Sequence, residues 1–157
     1  MCGIIGCVGR GEDTLGTLVE GLSNLEYRGY GSAGVALVGD EGLSVCKAEG
    51  DLSALRERLA EREVTGSVGI GHTRWSTHGP PTDANAHPHT DCTGGVAVVH
   101  NGIIENYQPL RNELERRGHE FDSDTDTEVV PHLVEDALSR GEHPEPAFRG
   151  AIDRLEG

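Results

Sequence analysis

The amino-acid sequence predicts an α+β fold. Three observations carry that expectation. Short apolar runs separated by turn residues fill the first part of the chain, amphipathic helical spacing dominates its end, and the alternation between them is too irregular for a series of βαβ units. Residues 2–8 form an apolar run closed by Gly9 and Gly11, which reads as a buried strand. Leu15, Leu18, Val19, Leu22 and Leu25 recur at helical spacing and predict an amphipathic helix. Residues 33–38 and 43–47 read as strands around Gly39-Asp40-Glu41-Gly42, a hairpin. Leu52, Leu55 and Leu59 mark a second helix, capped by Asp51 or Ser53.

Residues 67–72 read as a strand that runs into a polar loop over 73–93. The loop holds Pro80, Pro81 and Pro88, and its histidines, counting His72 at the edge, are His72, His78, His87 and His89. Loops of that length are functional or disordered. Residues 95–100 form another buried strand, ending at Asn101-Gly102. Helices follow over 107–117, 128–138 and 147–155; Pro131 fits the second only in its first turn. Phe148, Ala151, Ile152 and Leu155 give the last helix an apolar face.

A chain of 157 residues with 35% hydrophobic content suits one compact domain, taken here as residues 1–157. No basic stretch precedes an apolar run at the N-terminus, and no apolar segment is long enough to cross a bilayer. A soluble, cytoplasmic protein is expected. Cys2, Cys7, Cys46 and Cys92 match no CxxC pair and no secreted framework, so free thiols are expected. The net charge of −14 argues against nucleic acid and membrane partners. Lys47 is the single lysine, a composition that suits a host with a salt-rich cytoplasm or an ordinary acidic cytosolic protein.

Cys2 directly follows the initiator methionine. Removal of Met1 would give it a free α-amine, with a pKa of about 7.7–8.0, so that thiol and base lie on one residue. Arg74, in His72-Thr73-Arg74-Trp75-Ser76-Thr77-His78-Gly79, suits bidentate capture of a carboxylate. Asn101-Gly102 offers a side-chain amide and a backbone N–H together, an oxyanion hole in outline. Asp126 could meet an ammonium group. Each residue also has a plainer reading: a surface ion pair for Arg74, a hairpin turn for Asn101-Gly102, a helix cap for Asp126. The spacing of His72, His78, His87, His89 and Cys92 fits no compact ligand set, and neither a metal nor another cofactor is expected.

Six segments occur in an order that resembles the glutaminase domain of the isomerising glutamine–fructose-6-phosphate aminotransferases, within the class II amidotransferases of the N-terminal nucleophile (Ntn) hydrolase superfamily. They are Cys2-Gly3-Ile4-Ile5-Gly6, Leu25-Glu26-Tyr27-Arg28-Gly29-Tyr30, residues 72–79, Asn85-Ala86-His87-Pro88-His89, His100-Asn101-Gly102-Ile103-Ile104-Glu105-Asn106 and Thr125-Asp126-Thr127-Glu128. The resemblance implies an αββα sandwich and L-glutamine as substrate. Cys2 would attack the side-chain amide, and Asn101 and Gly102 would stabilise the oxyanion. Arg74, Thr77 and His78 would hold the α-carboxylate and Asp126 the α-ammonium. Trp75 would gate ammonia transfer, and Arg28 would support the nucleophile's surroundings.

Two features depart from the family pattern. Gly31 stands where an aspartate is usual, and the sequence ends at Gly157, before the family's later strands and its two sugar isomerase domains. A domain truncated at its C-terminus is therefore expected, with fructose 6-phosphate bound only through the absent domains and homo-oligomers formed by the full-length relatives. The alternatives are another class II amidotransferase, of purine, asparagine or glutamate synthesis, and an inactive remnant that binds glutamine.

Overall fold

The computed structural model of the chain describes residues 2–9, 13–28, 31–75 and 80–157, apart from the side chain of Arg28. These residues fall into two compact units, Met1–Pro88 with Val99–Asn101, and His89–Val98 with Gly102–Gly157.

The first unit is a four-stranded antiparallel sheet with two helices. Its strands are β1 (Gly3–Val8), β2 (Ser32–Gly39), β3 (Gly42–Glu49) and β4 (Val68–Arg74), in the order β1-β4-β2-β3. Helices α1 (Thr14–Leu25) and α2 (Leu52–Ala60) are each started by an aspartate. Asp13 accepts the N–H of Gly16, and Asp51 that of Ser53. Leu18, Leu22, Leu52 and Leu55 from the helices meet Val35, Leu37, Cys46 and Ala48 from the sheet in one core. Gly42, at φ +105°, supplies the left-handed residue of the β2–β3 turn.

β1 differs from the buried strand expected for residues 2–8. Ile5 and Cys7 pack on the core, whereas Ile4 is 42% and Val8 84% exposed. The apolar run is continuous, but a strand presents alternate residues to opposite faces, and only one face of β1 meets α1 and the core.

The long polar loop is ordered where it is described. Asp83 accepts the N–H of Glu49 at 2.8 Å and pairs with Arg58 at 2.7 Å, and Lys47 donates to the carbonyl of Ala84 at 3.3 Å. Asn85 closes the loop on itself through Thr82 and Pro80. At Gly34 the loop backbone lies directly on β2; a Cβ there would stand 2.2 Å from the His87 carbonyl oxygen.

The second unit holds a short ribbon, β5 (His89–Thr90) with β6 (Ala97–Val98), and helices α3 (Tyr107–Arg116), α4 (Val129–Ser139) and α5 (Pro144–Ile152). The carboxylate of Asp91 gathers the N–H groups of Thr93, Gly95 and Val96 and so folds the turn between the strands. Of the expected strand over 95–100, only Ala97 and Val98 pair. Leu110, Leu114, Val129, Val130, Leu133, Val134, Ala147 and Ala151 form this unit's core. Pro131 is the third residue of α4, inside the first turn where it costs no hydrogen bond. Helix α5 begins earlier than expected, with Pro144 at its start, and buries Ala147 and Ala151 while Phe148 and Ile152 stay half-exposed. The last residues lie along the segment that follows Asn101-Gly102. Glu105 donates its N–H to the carbonyl of Glu156 at 2.7 Å. Asn106 Nδ2 donates to the carbonyl of Arg154 at 2.8 Å, and Asn106 Oδ1 accepts the N–H of Glu156 at 3.1 Å.

Candidate active site

β4 carries a run of polar residues, His72, Thr73 and Arg74, through the middle of the sheet, all buried. Buried groups of this kind call for hydrogen-bond partners, and His72 finds one in Asn101. The antiparallel register sets Gly3 opposite Thr73, which brings Cys2 to the end of β4. There the backbone N–H of Trp75 donates to the Cys2 sulfur at 3.3 Å. The sulfur lies against the same residue's carbonyl at 3.8 Å, so the Trp75 backbone holds it at the strand end. The indole of Trp75 is half-exposed.

Asn101 closes the other side of Cys2. Its Nδ2 donates to the Cys2 carbonyl at 3.3 Å, and its Oδ1 lies 2.8 Å from Nε2 of His72. Burial pushes the His72 pKa down to about 4, so the ring is neutral near pH 7. A neutral imidazole whose Nε2–H donates to Oδ1 fixes which end of the Asn101 amide is the donor. Asn101 is thus no hairpin turn, since no strand pairing follows it directly.

Arg74 is 5% exposed and sits opposite Ser32 on β2. It is not the surface ion pair of the plainer reading. Its carbonyl accepts the N–H of Gly31 at 2.9 Å, so the position where the family usually has aspartate is tied to β4 by backbone alone.

Asp126 belongs to the second unit, where Oδ2 accepts the N–H of Ile104 at 2.7 Å. It does not cap α4, whose N-cap is Glu128. It fixes the backbone just after Gly102, itself in the same unit. Thr77, His78 and the side chain of Arg28 lie outside the described residues. From sequence, His72 enters only as a candidate metal ligand that its spacing disfavours, although its place in a polar run at a strand end is a signal that it holds something.

Residues 48–150 match the family model described as "Glutamine amidotransferase domain". Over its whole length the chain is 59% identical to the glutamine–fructose-6-phosphate aminotransferase [isomerizing] of Halobacterium salinarum, covering 25% of that protein. It is 55% identical to the corresponding enzyme of Sulfurisphaera tokodaii, covering 27%. The chain therefore spans about a quarter of the length of these relatives. Among solved structures, glutamine phosphoribosylpyrophosphate (PRPP) amidotransferase from B. subtilis, complexed with ADP and GMP, matches all of this chain. The TM-score is 0.81 at 27% identity, and 33% of that chain is covered.

Proposed function

Because this chain belongs to the glutamine amidotransferase domain family, we propose that it releases ammonia from the side-chain amide of glutamine with Cys2 as the nucleophile. Its fold is that of the Ntn amidotransferases, and the chain is homologous to the glutaminase part of the isomerising aminotransferases. The observation that carries the reading is the placement of Cys2 between the Trp75 N–H, which donates to its sulfur, and the Asn101 side chain, which donates to its backbone carbonyl.

In the reaction the Cys2 sulfur adds to the amide carbon of glutamine, and the amide oxygen takes up negative charge. Donors placed beside the nucleophile stabilise that charge, and Asn101 Nδ2 with the Gly102 N–H supplies them. The α-amine of Cys2, free once Met1 is removed, accepts the thiol proton and returns it to the leaving nitrogen. The C–N bond breaks, ammonia departs, and water then cleaves the γ-glutamyl thioester to glutamate. Arg74, Thr77 and His78 take the substrate α-carboxylate, and Asp126 takes the α-ammonium. The ammonia goes to fructose 6-phosphate, giving glucosamine 6-phosphate. The 51–59% identity to the isomerising enzymes, against 27% to the PRPP amidotransferase, supports that acceptor. Cys2, Cys7, Cys46 and Cys92 are all free, which suits a reducing cytoplasm.

The test is labelling with 6-diazo-5-oxo-L-norleucine, a glutamine-mimicking electrophile, followed by peptide mapping and an intact mass. One adduct on Cys2, in a protein lacking Met1, with activity abolished in Cys2→Ala and kept in Cys7→Ala, is the expected result. An adduct mainly on Cys92, or an active protein retaining Met1, would refute it.

A further inference from the structure

We propose that Cys92, His119, His132 and Glu135 form a four-coordinate site for a divalent transition metal, with zinc as the best fit. The four residues come from three separate stretches of the second unit. Cys92 follows β5, and His119 follows α3 after Gly118, whose φ of +96° turns the chain. His132 and Glu135 stand three residues apart on α4, on one helix face. One ligand atom from each lies within 4.8 Å of all the others.

The separations have the right size. Cys92 Sγ is 3.7 Å from His119 Nδ1 and 3.5 Å from His132 Nδ1. Glu135 Oε2 is 2.9 Å from His119 Nδ1 and 3.3 Å from His132 Nδ1. Zinc bonds of about 2.3 Å to sulfur and about 2.0–2.1 Å to nitrogen or oxygen, held tetrahedrally, give edges of about 3.5 Å and about 3.3 Å. Sulfur, imidazole and carboxylate are also a donor set that zinc accepts and calcium or magnesium does not.

The surroundings match a metal centre as well. Both imidazoles turn Nδ1 inward and keep a carboxylate near the other nitrogen. His132 Nε2 is 3.7 Å from Glu128 Oε1, and His119 Nε2 is 3.8 Å from Asp136 Oδ1. These separations are longer than hydrogen bonds; carboxylates in that position, drawn within reach of the ring N–H, fix the orientation of ligating histidines. Those carboxylates are anchored in turn, Glu128 by the N–H groups of Asp122 and Ser123 and Asp136 by Arg117. The N–H of Glu120 donates to the Cys92 sulfur at 3.4 Å and helps to hold it toward the other three groups. His132 is 1% exposed and Cys92 is the exposed member, so an ion would enter past the sulfur. Four protein ligands leave no open position, which makes the site structural, a clasp joining the turn after β5 to α3 and α4.

The experiment is metal analysis of the untagged protein, with cobalt substitution. The protein purified from zinc-supplemented culture should carry about one zinc per chain, and Cys92→Ala and His119→Ala should carry almost none. Cobalt(II) added to metal-stripped protein should give the intense visible spectrum of tetrahedral cobalt and a thiolate-to-cobalt charge-transfer band. That band should be lost in Cys92→Ser. A chelator should lower the melting temperature of the wild type and leave that of Cys92→Ser unchanged. If the variants do not fold, the wild-type cobalt spectrum decides alone. Wild-type protein that takes up neither zinc nor cobalt, or gives a cobalt spectrum without the thiolate band, overturns the proposal.

Discussion

His72 holds Asn101 by its amide oxygen, with 2.8 Å between Nε2 and Oδ1. An asparagine amide can present either end, and this contact leaves Nδ2 as the end facing Cys2. His72→Leu should therefore lower kcat for glutamine hydrolysis by about tenfold, less than removal of the oxyanion donor itself. KM should change less than kcat, and His72→Gln, which keeps an N–H donor, should recover part of the loss. Steady-state kinetics on the three proteins check this; equal effects on kcat and KM would contradict it.

The same residue makes stability depend on pH. Burial lowers the folded-state pKa of His72 to about 4, from 6.5. In that window the unfolded chain binds the proton and the folded one does not, so stability is full above the upper value and falls as pH drops toward the lower one. The full loss is on the order of 3 kcal/mol. Denaturant melts at pH 7 and pH 5 should show a larger drop for the wild type than for His72→Gln.

Arg74→Lys and Asn101→Ala should fail differently. Lysine keeps the charge of Arg74 but loses the planar fork, so KM for glutamine should rise. Loss of the Asn101 amide should lower kcat by about 10²–10³-fold, since that donor acts on charge that develops in the transition state. A shared kinetic profile for the two variants would remove the division between binding and transition-state roles.

Gly34→Ala should displace the loop at His87. The added Cβ would meet the His87 carbonyl oxygen at 2.2 Å and that of Cys46 at 3.1 Å, both backbone atoms that cannot swing aside. A destabilisation of about 1–3 kcal/mol is expected, read as a lowered melting temperature with faster proteolysis across residues 80–88.

Molar salt should raise the melting temperature. Charges totalling −14 repel one another at low ionic strength, and screening relieves that repulsion. A flat or falling series of melts would leave the salt-rich host without support.

Local periodicity made most elements legible. The spacing of Leu18 and Leu22 gave α1, and of the two candidate caps for α2, Asp51 and Ser53, the structure uses Asp51. The exposed face of β1 was not legible, because an apolar run does not say which neighbours cover each side. Helix α5 was misplaced because two small alanines, rather than Phe148 and Ile152, fill the core. At the candidate site, Cys2, Arg74 and Asn101 each have a plainer reading when taken singly, and only the six ordered segments together point to them. The link from His72 to Asn101 spans 29 residues, and no local pattern announces it. Cys92 was weighed with the loop histidines nearest in sequence, whereas the fold gathers it with His119, His132 and Glu135. Of that cluster only the three-residue step on α4 is a local signal.

Asn106 and the segment 154–156 form a reciprocal amide clasp, its two bonds spanning 48 and 50 positions of sequence. Together with the bond from Glu105 to Glu156 it resembles a rung of sheet, built partly from a side chain. Neither strand of that rung can separate without breaking all of these bonds together. The backbone that follows Gly102 therefore shares one opening event with residues near the C-terminus. In deuterated solvent the amide protons of Glu105 and Glu156 should exchange at a common opening free energy, and Asn106→Ala should lower it for both.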